Sequence, residues 1–302
     1  MDGITEQNFL SAMSSRQWTS AWWTPFLRIS TGVPRQSRLT AWLQPYLDTG
    51  LPVIAQIMGT STDKLAETAL RLYKAGAICV DLNCACPSPQ VIGNQGGGAC
   101  LKNPSWIHDT LLAMRKRCPA GAISVKIRAG YSSVEELADL TAAVREASPH
   151  LVSMHYRTVN EMYRPIEGGL QRLRKAREYL AKIPFFGSGD LFTVEAALQM
   201  FEETGVDGLL PARGVLTNPA LLTQIQAACQ GKKPLEISDR EKLSFLCDLA
   251  QPAAGKQNTP NGFLLRICAA LFGRNSKIFQ QLVQLRKLEA SWRYLTEKMA
   301  QP

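Results

Sequence analysis

The 302-residue sequence predicts an α/β protein. The expected architecture is a (βα)8, or TIM, barrel whose first strand is missing or lies upstream of Met1, followed by a C-terminal all-helical domain. Three observations carry this. Short apolar runs, too hydrophobic to be half exposed, alternate seven times with amphipathic stretches. Glycine, or proline after a polar cap, marks many of the junctions. From about Leu235 the alternation stops and only helical periodicity remains. Residues 1–232 are therefore expected to form the barrel and residues 235–302 the helical domain.

The first visible strand is the aromatic and apolar run over residues 21–29, closed by Gly32 and Pro34. Residues 53–56 form the next and end at Gly59. A helix follows with Leu65, Ala69, Leu72 and Tyr73 on one face, Thr62 as its cap and Gly76 as its stop. Residues 77–82 read as a buried strand that stops at Asn83. Asn103-Pro104 has the form of a cap with proline at the first helical position, and Ile107, Leu111 and Met114 repeat at helical spacing. Residues 123–127 are a strand, after which Ser133 and Glu136 form a capping box for a helix lined by Leu137, Leu140 and Val144. Strands over 151–156, 183–186 and 206–210 complete the set, separated by helices over 170–180 and around 194–201. A further helix opens at Asn218-Pro219. In the tail, Ser238 and Glu241 form another capping box, a Gly/Pro/Asn loop covers 252–262, and helices follow over 263–272 and from Ile278 to Leu295. Seven strands alone would leave an unpaired edge, which native sheets avoid, so the eighth is expected before Met1.

Composition narrows the class. No apolar run approaches the roughly 20 residues of a membrane helix, and Met1-Asp2-Gly3 lacks a basic signal-peptide head. Eight irregularly spaced cysteines without such a head suggest free thiols in a reducing, cytoplasmic setting. A metal site is not expected, because Cys84-Ala85-Cys86 is the one tight pair and no second pair or His cluster completes it. The net charge is +9 and uneven: residues 232–302 hold 12 Lys/Arg against 6 Asp/Glu. A basic tail beside a near-neutral body suits a polyanionic partner, although a solvated lysine-rich surface reads the same way.

Strand carboxyl ends in such a barrel converge on one mouth. Reading them off collects Gln56, Asn83, Cys86, Lys126, Arg128, His155, Arg157, Ser188, Gly189, Asp190 and Arg213. Lys126 interrupts the apolar run Ile-Ser-Val-Lys-Ile, and a buried lysine needs an anion or an electron-rich partner. A barrel carboxylate would serve as well as a ligand. Gly187-Ser188-Gly189 and Ala212-Arg213-Gly214 end the last two strands, where many barrels cradle phosphate, so a phosphorylated ligand such as FMN fits. Cys84 and Cys86 stand two apart, and alternation alone does not choose between them.

Asp81-Leu82-Asn83-Cys84-Ala85-Cys86-Pro87-Ser88, followed by Gly96-Gly97-Gly98-Ala99, resembles the signature of the tRNA-dihydrouridine synthases, in the glycine-rich form of the bacterial C class. Gln56 in Ala-Gln-Ile-Met-Gly, Lys126 and Arg128 in Val-Lys-Ile-Arg, His155 with Arg157-Thr158, and Tyr163-Arg164 also fall on family motifs. The resemblance covers nearly the whole chain. It implies an FMN enzyme, monomeric and cytoplasmic, that uses NADPH to reduce a uridine in the tRNA D-loop, position 16 in the C class, to 5,6-dihydrouridine. By the same resemblance Met1, Gln56, Lys126, His155, Ser188, Gly189, Asp190, Ala212 and Arg213 would bind the flavin. Asn83, Arg128 and Tyr163 would hold the extruded base, Cys86 would be the proton donor because it immediately precedes Pro87, and the basic tail would grip the tRNA. Four positions depart from the pattern: Ser188 replaces Asn, Ala212 replaces Gly, Tyr156 replaces Gly, and Pro25 replaces an acidic residue. A tRNA-binding relative without catalysis, or an FMN reductase of a free pyrimidine, are the alternative readings.

Overall fold

The computed structural model describes residues 7–251 and 259–300. Eight strands form one parallel sheet: β1 (Trp22–Trp23), β2 (Leu27–Ile29), β3 (Val53–Gly59), β4 (Cys79–Asn83), β5 (Ile123–Arg128), β6 (Leu151–His155), β7 (Phe185–Ser188) and β8 (Gly208–Leu209). β1 and β2 both pair with β3, so they occupy one strand position, and the order continues through β4 to β8 in sequence. The single run expected over 21–29 is broken at Pro25, which has no N–H to give the ladder. The result is a TIM-barrel-like arc of seven strand positions, not closed between β8 and β1 among the described residues. The expected eighth strand before Met1 lies outside the described residues, as does Met1 itself.

The helices are α1 (Gln7–Ser15), α2 (Gln36–Leu47), α3 (Thr62–Lys74), α4 (Pro89–Gly93), α5 (Pro104–Arg117), α6 (Leu137–Ala147), α7 (Gly169–Leu180), α8 (Val194–Thr204), α9 (Gly214–Thr217), α10 (Leu221–Cys229), α11 (Asp239–Ala250), α12 (Gly262–Phe272), α13 (Lys277–Leu285) and α14 (Leu288–Ala300). Outside the sheet α3 packs on α2 and α5, α5 on α6, and α6 on α7. Their apolar faces, including Leu65, Leu72, Ile107, Leu111, Leu140 and Val144, are fully covered. β3 is buried along its whole length, which explains its near-continuous apolar sequence. The caps at Asn103, Ser133 and Ser238 form as the sequence indicates. Thr62 does not cap α3; Ser61 holds that position and Thr62 Oγ1 meets Thr110 Oγ1 at 2.8 Å.

Two compact units result. The sheet and its helices occupy 21–191 and 195–211. The helical unit takes 7–20, 192–194, 212–251 and 259–300 of the described residues, so the division does not follow the 232/235 boundary. The reason is burial of α1, an element without a capping signal in the sequence. Phe9 and Trp18 set their rings 6.0 and 5.5 Å from that of Phe245 in α11, Arg16 pairs with Asp248 at 2.6 Å, and Asn8 Nδ2 donates to the Leu249 carbonyl at 3.1 Å. The last helix is also two, not one. Arg286 turns left-handed (φ 55°) and the backbone there pairs with 259–261 instead, while Asn261 Nδ2 donates to the Leu282 carbonyl and Ser291 Oγ.

Candidate active site

In a parallel sheet, residues in register share a face. Gln56 lies opposite Asp81, and Asp81 opposite Ser124. Nearer the carboxyl ends, Asn83, Lys126, Ser153 and Phe186 line up, and then Arg128, His155 and Ser188. That face is concave, since Trp23 of β1 meets Phe186 of β7 at 6.1 Å. Gln56 is not at a strand end as expected, because β3 runs on to Gly59; it forms the floor instead.

A hydrogen-bond relay starts at Asp81, which is wholly buried. Ser124 Oγ donates to Oδ1 and Gln56 Nε2 to Oδ2, both at 2.7 Å. Gln56 Oε1 then accepts from Asn83 Nδ2 at 2.7 Å, and Asn83 Oδ1 accepts the N–H groups of Ala85 and Cys86 at 2.9 and 3.1 Å. Burial raises the Asp81 pKa, opposed by the donors Gln56 and Ser124 and by Lys126. Asn83 thereby shapes the Cys86 turn. The glycines finish that turn: Gly98 N–H donates to the Cys86 carbonyl at 3.0 Å, and a Cβ on Gly97 (φ 56°) would fall 2.9 Å from that of Cys86.

The two thiols separate clearly. Cys84 is fully buried, and the Cys100 sulfur beside it, together with that burial, holds its thiol well above the ordinary range. Cys86 is half-buried, beyond the end of β4 where strand alternation no longer applies.

Lys126 makes no hydrogen bond or ion pair among the described residues. Burial and the like charge of Arg128 push its pKa down to about 8, with Asp81 and Cys86 pulling the other way. Ser153 Oγ and Trp23 Nε1, on the same concave side, are also buried without a hydrogen bond. Trp23 lies near enough to favour the charged Asp81, but its geometry is not that of a hydrogen bond. The floor thus combines a poorly compensated cation with unfilled polar atoms.

Arg128 is buried and tied to backbone: Nε donates to the Ala85 carbonyl at 2.8 Å, and Nη1 to those of Thr158 and Met162 at 2.9 and 3.0 Å. It staples the Cys86 turn to the loop after β6, and its guanidinium lies 5.6 Å from the ring of Tyr163, which is 51% exposed. His155 Nδ1 accepts the Arg157 N–H at 3.2 Å, so a neutral ring carries its proton on Nε2. Arg157, 1% exposed, grips Asp190 with both terminal nitrogens, at 3.0 and 2.5 Å. Ser188 Oγ donates to the Leu210 carbonyl at 3.0 Å. Ala212 and Arg213 belong to the helical unit, both exposed, with the Arg213 guanidinium 5.4 Å from the Phe192 ring.

The sequence model of the family described as dihydrouridine synthase matches residues 1–291. The chain belongs to the dihydrouridine synthase family. Among curated relatives, the tRNA-dihydrouridine(16) synthase of Vibrio parahaemolyticus is 34% identical over 173 residues, 57% of this chain and 53% of that protein. The Escherichia coli K12 protein of the same name is 35% identical over 173 residues, 57% and 55% of the two chains. That of Aquipseudomonas alcaligenes is 30% identical over 208 residues, 68% and 65%. The chain thus matches about half to two thirds of the length of these relatives. Among solved structures, a variant of NCR from Zymomonas mobilis aligns with a TM-score of 0.53 at 17% identity, covering 75% of this chain and 82% of that one, which places the two in the same fold.

For this member of the family, sequence reasoning missed Asp81, Ser124, Trp23 and Thr24, whose Oγ1 accepts the Gln56 N–H at 2.9 Å. Period-two spacing was the available signal: Asp81 and Asn83, and Ser124, Lys126 and Arg128, alternate with apolar residues. Among the described residues no group of three potential metal ligands is found, and no helix is long and apolar enough to cross a membrane.

Proposed function

We propose that this chain reduces a uridine of the tRNA D-loop, U16, to 5,6-dihydrouridine, with FMN as cofactor and NADPH as reductant, acting as a monomer in the cytoplasm. The observation that carries the reading is the concave floor. A buried Lys126 only partly offset by Asp81, with two buried polar atoms that make no hydrogen bond, suits a flat, electron-rich, hydrogen-bonding ring. Met1, Gln56, Lys126 and His155 would hold the ring, with Ser188, Gly189, Asp190, Ala212 and Arg213 toward the phosphate end.

When bound, the reduced flavin supplies the hydride for C6 of the uracil. Cys86 gives its thiol proton to C5 and recovers one from water, so the base gains two hydrogens across one double bond. A thiol serves as the acid here because its S–H carries the proton that C5 needs. Asn83 and Arg128 act by fixing where Cys86 stands. The exposed Tyr163, with the Arg128 guanidinium 5.6 Å from its ring, would stack on a base extruded from its own helix. The helical unit, with its basic residues, would hold the tRNA backbone.

The test is the Cys86→Ala variant, with dihydrouridine mapped in tRNA from cells carrying it in place of the native gene. Flavin content and NADPH oxidation should persist while the modified base disappears. A variant forming dihydrouridine at the native rate, or a native chain that takes up no flavin, refutes the proposal.

A further inference from the structure

Tyr156 has no part in the reaction outlined above, yet it sits at a position that matters. It follows His155 at the end of β6, and its ring fills the space over two glycines. A Cβ on Gly189 would fall 1.9 Å from Tyr156 Cε1, and one on Gly169 3.0 Å from Cδ2. The Tyr156 hydroxyl accepts the N–H of Asp190 at 3.0 Å. The Arg157 guanidinium lies 5.0 Å from the centre of the same ring while gripping the Asp190 carboxylate. Tyrosine, turn and arginine form one clamped cluster.

Loops after the last two strands are where barrels of this kind hold phosphate, through backbone N–H groups left free by the turn. At the turn after β7 the Asp190 N–H is already taken, by a side chain of this chain. A carboxylate stands beside it, and the arginine that could have offset a phosphate's charge is committed to that carboxylate. Ser188 Oγ is committed to Leu210. A phosphate reaching this turn would have to displace the phenol and approach a like charge.

We propose that Tyr156 is a cofactor-selecting residue. It fills part of the phosphate seat, so the site takes its flavin chiefly by the ring and discriminates little between FMN and the phosphate-free riboflavin. This rests on the reading of the chain as a flavin enzyme. The native chain, freed of flavin, and the Tyr156→Gly and Tyr156→Phe variants are titrated with FMN and with riboflavin, following quenching of flavin fluorescence. Thermal unfolding of each flavin-free protein verifies the fold. The native chain should bind the two flavins within about tenfold of each other, a difference of about 1.4 kcal/mol. Tyr156→Gly should raise the preference for FMN at least about tenfold with riboflavin little changed. Tyr156→Phe, which frees the Asp190 N–H but keeps the ring, should fall between. A native preference for FMN well above tenfold, or an unchanged ratio in both variants, overturns the proposal. Tighter riboflavin binding without any gain for FMN overturns it too. If neither flavin binds any of the three folded proteins, the flavin reading itself fails.

Discussion

Replacing Lys126 with methionine should stabilise the flavin-free chain near neutral pH and remove a pH dependence. The ammonium is held in the barrel floor with no ion-pair partner, and its pKa falls from 10.5 to about 8, chiefly through burial. At about 1.4 kcal/mol per pH unit that depression corresponds to roughly 3 kcal/mol, which the side chain's partial exposure reduces to about 1–2 kcal/mol. The folded pKa lies below the unfolded one, so the cost is fully present below about pH 8, fades as pH rises toward about 10.5, and is absent above it. Urea unfolding of flavin-free native and Lys126→Met chains at about pH 7 and about pH 9.5 tests this: the variant should lead by about 1–2 kcal/mol at the lower pH and by well under 1 at the higher. A ligand that welcomes the charge should restore the pKa, so native flavin affinity should weaken as pH rises through about 8, while the variant's stays flat. Equal stability near pH 7, or a gap widening with pH, would show that Lys126 is compensated and the reasoning wrong.

Other expectations concern the Cys86 turn. Asn83→Ala strands the buried N–H groups of Ala85 and Cys86 and the Gln56 carbonyl, and should cost about 2–4 kcal/mol in urea unfolding. Cys86 should also alkylate faster with iodoacetamide, because its turn loses the acceptor that holds it. Gly98→Ala would set a Cβ 2.6 Å from Val159 Cγ2 and 3.0 Å from the Cys86 carbonyl. It should lower dihydrouridine formation by about tenfold or more. Gly32→Ala, whose Cβ would meet nothing within 4 Å, is the control and should leave formation unaltered.

The sheet was legible because parallel strands buried on both faces leave a signal that survives single polar interruptions, as at Lys126. Caps such as Asn103 and Ser133 were legible for the same local reason: the acceptor and the N–H it serves lie three residues apart. What escaped depends on partners far along the chain. Nothing near Gln7–Ser15 marks a helix until Phe245 is present to cover it. The apolar spacing from Ile278 to Leu295 reads as one helix, and only the pairing of 259–261 with Arg286 to Leu288 breaks it. The family resemblance, not its own surroundings, set Asn83 toward the base. Its hydrogen bonds to Gln56 and to the next turn are tertiary and carry no sequence signature. Tyr156 was visible as a departure, but its engagement with Asp190 was not.

The membership of α1 in the helical unit bears on how the molecule is made. Asn8 meets Leu249 across 241 residues, so α1 leaves the ribosome long before α11 exists. At about 5–20 residues per second, Phe9, Leu10 and Met13 have no covering surface from this unit for about 10–50 seconds. The sheet has time to form in that interval, and the helical unit closes after it. A fragment beginning at Leu235 would lack the helix that covers Phe245, so the basic tail is not an independently folding module that can be cut away and studied alone.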